Sequence, residues 1–160
     1  MEKTFDLKSL KLDPWGGVEC KYRISETDDN DVETKNDYHV KVARPIHGDL
    51  SALFEKDLTA IVAVIFDNTE WAAELELGID GHIIPTGISF AGKNDNVGIA
   101  ISGEIRTKFG RVSFKTPRIK YLTSQTTVAA KLTVFADKVV NEAHAYLFEN
   151  KTAETGVFGE

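Results

Sequence analysis

Val18-Glu-Cys-Lys-Tyr-Arg-Ile-Ser25 is the stretch that decides the fold. Its apolar members alternate with polar ones, which is the period of a strand with one buried face and one solvated face. Tyr38-His-Val-Lys-Val-Ala43 repeats the pattern, so the two runs predict an antiparallel hairpin. The segment between them, residues 26–37, is too polar to bury and rich in turn formers, and we predict a solvated loop there.

The predicted hairpin is flanked by a strand on one side and a helix on the other. Phe5, Leu7, Leu10 and Leu12 indicate an earlier strand whose phase shifts near Lys8 and Ser9, as a bulge would cause. Pro14-Trp-Gly-Gly17 then predicts a turn. Apolar residues at helical spacing predict a helix from about residue 50 to 66, although 59–66 could instead form a buried strand.

The second half of the chain repeats this order of elements. Residues 83–90, 97–107 and 111–121 are predicted strands, residues 74–79 a further short one, and residues 125–149 a long amphipathic helix. The fold class is therefore α+β, an antiparallel β-sheet in two hairpin-rich halves, each followed by an amphipathic helix. We expect one domain over residues 1–150, with a pseudo-repeat of 1–66 and 67–150, and a flexible tail over 151–160.

Composition places the chain in the soluble globular class. It has 160 residues, 42% of them hydrophobic, and a formal net charge of −6. The longest apolar run, Ala60 to Phe66, is far shorter than the ~20 residues of a membrane helix, and the first residues lack the apolar core of a secretion signal. The single cysteine, Cys20, is expected to pack in the core of a cytoplasmic protein.

Charge is distributed very unevenly along the sequence. Between Glu104 and Asp137 there are seven basic residues and no acidic one, whereas the remainder of the chain sums to −13. On strands, alternation sends the basic residues of this segment to one face of the sheet, and the polar face of the first hairpin gathers further cations.

Cations along a sheet neutralise phosphates without reading sequence, and exposed aromatic rings add base stacking. The chain is therefore predicted to be a non-catalytic protein that binds single-stranded DNA or RNA. The candidate residues are Lys21, Arg23, Lys41, Arg106, Lys108, Arg111, Lys115, Arg118 and Lys120, with Phe109 and Trp15 for stacking.

The same residues are also compatible with other functions. The basic face could serve an acidic protein partner in a structural or inhibitor-like module, or it could be solvated decoration of a sheet. The loop Asp28–Glu33 invites a calcium interpretation but lacks the central glycine and distal glutamate of an EF-hand. The four histidines show no metal-ligand spacing and no nucleophile or phosphate-loop motif is present, so we expect no metal, no cofactor and no enzymatic activity.

Strands followed by a helix, twice over, resemble the Whirly and PC4-like single-strand DNA-binding folds in element order. The small acidic chain, with a helix ending Ala145-Tyr-Leu-Phe-Glu-Asn-Lys151, also looks like phage and prophage proteins encoded near replication or recombination genes. The resemblance implies a single-stranded nucleic-acid partner and, if the chain is phage-encoded, the cytoplasm of a bacterial host. The tail with Val157 and Phe158 would be a docking peptide for a protein partner, and open sheet edges would permit a homo-oligomer.

Overall fold

Three antiparallel strands begin the fold in the computed structural model: β1 (Glu2–Leu12), β2 (Val18–Thr27) and β3 (Glu33–Val42). The structure describes residues 2–13, 16–46, 48–66, 83–107 and 110–149. β1 pairs with β2 and β2 with β3, and the register of β1 shifts between Leu7 and Ser9. The predicted hairpin and the predicted bulge are both confirmed.

The hairpin is longer than its hydrophobic pattern predicts. Strand pairing continues to Thr27 opposite Glu33, so the prediction of a loop over 26–37 is wrong for most of its length. The connection is short because the Asp28 carboxylate accepts hydrogen bonds from the backbone N–H groups of Asn30 and Val32, each at 2.9 Å. Asp31 lies in the left-handed region, with φ of 61°, a conformation that Asp tolerates. Polar residues can form a strand here because much of this end of the hairpin is exposed.

A helical segment follows β3. It consists of α1 (Gly48–Ala52), a π-helical stretch (Leu53–Leu58) and α2 (Thr59–Phe66). The predicted helix is confirmed, and the alternative of a buried strand at 59–66 is wrong. Burial explains why β-branched residues remain helical here: Ile61 and Val62 are almost fully enclosed by the core, and tertiary packing outweighs their weaker helix propensity.

The second group of strands comprises β4 (Ile83–Ala91), β5 (Gly98–Thr107), β6 (Gly110–Lys115) and β7 (Ile119–Lys120). All strand pairs are antiparallel and the order across the sheet is β3-β2-β1-β4-β5-β6, with β7 also on β5. The two groups meet through three residue pairs of β1 and β4, centred on Leu10 opposite Ile88.

One strand was predicted where the structure has two. Residues 111–121 are interrupted between β6 and β7, at Thr116, Pro117 and Arg118. Pro117 has no N–H to donate to a ladder, which accounts for a break at this position. The predicted strand at 74–79 and the predicted tail at 151–160 lie outside the described residues.

The last element is α3 (Thr127–Phe148), in agreement with the predicted helix. The Thr126 side chain caps it by accepting a hydrogen bond from the Ala129 N–H at 3.1 Å. The buried stripe of α3 packs with the first helical segment against the apolar face of the sheet, forming one core with Leu10, Cys20 and Ile101. The α+β class is therefore confirmed, and no helix of the described residues has the length and apolarity of a membrane span.

Candidate functional site

The sheet has one face under the helices and one face that no described element covers. The uncovered side, here called the outer face, is set by the alternation of each strand: Val18, Cys20 and Tyr22 are buried toward the helices, so Glu19, Lys21 and Arg23 point the opposite way. The predicted cations that the structure describes in both strand groups fall on this same face because all the strands belong to one sheet.

In the first strand group, two of the three predicted cations are engaged by carboxylates. Arg23 donates to both oxygens of Asp37, at 2.7 Å and 3.3 Å, and Lys41 lies 4.0 Å from Glu19. Lys21 is exposed, and no carboxylate of the described residues forms an ion pair with it. Of the three, Lys21 is therefore the best placed to meet an external anion.

The second strand group contributes its cations in two neighbouring places. Arg106 lies opposite Arg111 in the register of β5 and β6. The Arg111 guanidinium lies 3.3 Å from the Glu104 carboxylate, and Arg106 also has an interaction within the protein, so neither arginine is counted as available to a ligand. Lys115 lies opposite Ser102, and Lys120 lies opposite Gly98. Lys115 and Lys120 are exposed without an ion pair to any described carboxylate, and so are available.

Thr116 lies in the break between β6 and β7 and fixes this break against β5. Its N–H donates to the Ile101 carbonyl at 2.8 Å, and its hydroxyl accepts from the Ile101 N–H at 2.9 Å. The residue is buried, so both hydrogen bonds are shielded from water. Arg118 follows, and its aliphatic stem lies over Gly98. One side chain thus fixes the edge that carries Lys115, Arg118 and Lys120.

Small side chains form the middle of the outer face. Register places Lys11 opposite Gly87, Gly87 opposite Ser102, and Ser102 opposite Lys115. Three strand spacings separate Lys11 from Lys115, or about 14 Å between their Cα atoms. The floor between them consists of Ser9, Gly87, Ser89, Ala100 and Ser102. A flat strip with exposed lysines on both sides results.

Two carboxylates of the outer face, those of Glu19 and Asp37, have their pKa lowered by basic neighbours. The hydrogen bond from His39, at 2.8 Å, lowers the pKa of Glu19, and Lys41 and Lys11 act in the same direction. The hydrogen bond from Arg23 likewise lowers the pKa of Asp37. These acids therefore neutralise part of the face without removing its basic excess.

Three of the predicted residues cannot be assigned to this face. Lys108, Phe109 and Trp15 lie outside the described residues, so the predicted stacking rings are not part of the observed geometry. Sequence reasoning also missed two residues that matter here. Lys11 could have been found from its alternation with Leu10 and Leu12, whereas the role of Thr116 depends on a pairing that no local pattern reveals.

Aromatic residues do gather on the opposite face of the sheet, where the sequence predicted only core. Tyr22 is buried, as the alternation of its strand predicts, but Phe148 is 46% exposed. Phe148 is the last residue of α3 and lies beside Tyr22 and Phe5. Its exposure follows from its position at the end of the helix, where the core stops.

No other centre with recognisable chemistry emerges among the described residues. They contain no group of three or more His, Cys, Asp and Glu side chains that could hold a metal ion. Cys20 is fully buried, and burial raises the pKa of its thiol to about 12. A thiol of this kind is unreactive at neutral pH.

Comparison with known proteins adds no assignment. No protein-family profile matches the chain, and neither a curated protein sequence nor a solved structure gives a match.

Proposed function

We propose that the protein is a non-catalytic single-stranded nucleic-acid-binding protein that uses the outer face of its sheet. The observation that carries the proposal is the pair of lysine rims, with Lys11 and Lys21 on one side of the small-residue strip and Lys115 and Lys120 on the other. All four are exposed, and no described carboxylate forms an ion pair with them.

Electrostatics supports an anionic polymer as the ligand. The net charge of the chain is −6, yet basic side chains outnumber acidic ones on the outer face. Each lysine that meets a phosphate releases condensed counterions, so several such contacts give affinity without sequence selectivity. Glycine, serine and alanine in the strip let a backbone approach the sheet closely. Stacking of bases on Phe109 and Trp15 remains a prediction. The proposal covers single-stranded DNA and RNA alike.

Fluorescence anisotropy with a labelled oligonucleotide tests the proposal. The double variant Lys21→Glu with Lys115→Glu should weaken binding at least tenfold at low salt. The matched control, Lys131→Glu with Lys138→Glu, makes the same change in net charge on α3, on the other side of the sheet, and should weaken binding less than threefold. An absence of binding at low salt, or an equal loss in both double variants, would contradict the proposal.

A protein-binding or structural module is the second candidate. It is favoured by the ion pairs Arg23 to Asp37 and Arg111 to Glu104, which already neutralise part of the face. A folded acidic partner could match such a mixed pattern, whereas phosphates would meet the carboxylates as like charges. Pull-down from nuclease-treated lysate separates the two candidates, because partners bound through nucleic acid are lost and direct protein partners are retained.

The remaining sequence-based expectations belong to this proposal. The two strand groups with their helices would form a pseudo-repeat of the Whirly or PC4-like type. The sheet ends at β3 on one side and at β6 and β7 on the other, and such edges could pair in a homo-oligomer. The tail at 151–160 would dock a protein partner, and a phage-type protein of this kind would act in the cytoplasm of a bacterial host.

A further inference from the structure

A second surface feature lies on the helix side of the sheet. The lysine rims lie on the other side, the outer face. A pocket of about 420 Å³ opens between the ends of β1, β2 and β3 and the C-terminal end of α3. We call it the aromatic pocket because five rings make most of its wall: Phe5, Tyr22, Tyr38, His144 and Phe148.

The rings of the aromatic pocket hold one another in fixed orientations. Tyr22 lies at the centre, with Tyr38 stacked on it at 5.1 Å between ring centroids and Phe148 meeting it edge to face at 5.5 Å. Phe5 contacts both Tyr22 and Phe148, and His144 lies 5.0 Å from Phe148. Three strands and one helix supply these rings, so the walls are preorganised by the fold.

Exposure distinguishes this cluster from ordinary core. Tyr22 is buried, but Tyr38 is 43% and Phe148 46% exposed. Two large rings that contact Tyr22 and line the pocket therefore present surface to solvent. Ring faces of this kind attract cations through the negative potential above the π-system.

The charges around the aromatic pocket favour a cation as well. Lys3 is paired with Glu26 at 3.3 Å, and Glu149 lies 3.3 Å from His144, so each basic group at the rim already has an acidic partner. The turn between β2 and β3 carries three further carboxylates, Asp28, Asp29 and Asp31, and no basic residue. A phosphate or a nucleic-acid strand would meet this acidic end of the hairpin unfavourably.

We propose that the aromatic pocket binds an organic cation of the quaternary ammonium or guanidinium type. Such a cation is weakly hydrated, so it can lie against Tyr38 and Phe148. The ion pair of Glu26 with Lys3 offsets the one lysine charge in the pocket wall, which would otherwise repel it. The cation could belong to a free small molecule or to an arginine side chain of a protein partner. This site is separate from the outer face, and it stands or falls independently of nucleic-acid binding.

Choline and its neutral isostere 3,3-dimethylbutan-1-ol give the first test, because they differ in charge but share a shape. We expect choline to shift the NMR signals of the Tyr38 and His144 rings with saturable binding, and the isostere to bind at least fivefold more weakly. Equal binding of the two, shifts from neither, or tighter binding of adenosine monophosphate than of choline would overturn the proposal.

Substitutions in the pocket test where choline binds. A comparison of choline with an arginine peptide tests the source of the cation. Tyr38→Ala, Phe148→Ala and the isosteric Glu26→Gln should each weaken choline binding at least threefold, whereas Val134→Ala, an exposed position elsewhere on α3, should leave it unchanged. A short acetylated Gly-Arg-Gly amide that binds tighter than choline, and tighter than its citrulline twin, indicates a protein side chain. Choline binding tighter than the peptide indicates a free small molecule. Unchanged choline binding in all three pocket variants would overturn the proposal.

Discussion

Arg44 and Tyr146 lock the end of the first strand group to the last helix, although 102 residues separate them in sequence. The guanidinium carbon of Arg44 lies 4.6 Å from the centroid of the Tyr146 ring, and the guanidinium donates to the Tyr146 carbonyl. In return the Tyr146 hydroxyl donates to the Arg44 carbonyl at 2.5 Å. Because Tyr146 is fully buried, this reciprocal contact is shielded from water.

Removing the Tyr146 hydroxyl tests the contribution of this contact. Tyr146→Phe keeps the ring under the guanidinium but leaves the Arg44 carbonyl without this donor, so we expect the free energy of unfolding to fall by about 1–2 kcal/mol. Urea denaturation followed by circular dichroism measures it. Leu122→Ala, at a half-exposed position, should change stability by no more than about 0.5 kcal/mol and serves as the control. A Tyr146→Phe protein as stable as the parent would show that the hydrogen bond contributes nothing.

Thr116→Val should destabilise the edge that carries Lys115 and Lys120. Valine matches the shape of threonine but cannot accept the hydrogen bond from the Ile101 N–H, and leaving such a buried donor unpaired costs about 1–3 kcal/mol. Hydrogen exchange at Ile101 should accelerate correspondingly. Thr116→Ser retains the hydroxyl and should protect Ile101 far better than valine does. Equal exchange rates in the two variants would exclude the proposed role of the hydroxyl.

Gly103→Ala should strongly destabilise the sheet, whereas Gly48→Ala should not. A Cβ on Gly103 would overlap the carbonyl oxygen of Ile84 and lie 2.8 Å from the Cα of Pro85, both on the neighbouring strand. A Cβ on Gly48 would meet nothing within 4 Å. We expect a loss of about 1–3 kcal/mol for Gly103→Ala, measured by thermal or urea unfolding. Similar stability of the two variants would mean that the strands can separate without cost.

Stability should fall as the pH rises from about 9 toward 12. The unperturbed pKa of the thiol is 9.0, but burial raises the pKa of Cys20 to about 12 in the native state. The unfolded chain therefore releases a proton that the native protein retains, and the free energy of unfolding decreases through this window. Burial also raises the pKa of Tyr22 and Tyr146, which adds to the decrease above pH 10.

Comparing Cys20→Val with the parent isolates the thiol contribution. Urea unfolding at pH 8 and pH 10.5 should show a smaller pH-dependent loss in the variant, because valine has no proton to release. Tyr146 titrates in both proteins and cancels in the comparison, whereas the part of the Tyr22 pKa shift that comes from Cys20 is lost with the thiol and counts toward its contribution. An identical loss in the two proteins would show that Cys20 does not contribute.

Salt dependence separates phosphate contacts from other modes of binding. If Lys21 and Lys115 each neutralise one phosphate, the double variant Lys21→Glu with Lys115→Glu should reduce the slope of log K against log salt by about 1.4. Anisotropy titrations between low and moderate salt measure the slope. A lower affinity with an unchanged slope would indicate that the substitutions act through folding and not through phosphate contacts.

Local patterns predicted most of the strands and helices, and they failed where long-range packing governs the chain. The alternation around Cys20 predicted β2 correctly because one buried face imposes it. The extension of the hairpin to Thr27 and Glu33 was missed because an exposed strand needs no apolar residues. The break at Thr116 was missed because the hydrogen bonds that make it tolerable come from Ile101, fifteen residues away.

The candidate sites divide in the same way. The basic bias of residues 106–120 could be predicted from composition, and the face to which Lys21 and Lys115 point followed from the period of two. The joining of the two strand groups at Leu10 and Ile88 could not be predicted, and this pairing brings both lysine rims onto one surface. Nor could the aromatic pocket, because Phe5, Tyr38 and Phe148 come from three distant parts of the chain.

The sequence by itself therefore determined which side chains of each strand share a face, because side-chain direction is a property of the extended backbone. Only the tertiary structure decided which strands are neighbours, where the helices end over the sheet and which side chains lose or keep their solvent. Those outcomes depend on hydrogen bonds and buried contacts between residues far apart in sequence, such as Arg44 and Tyr146.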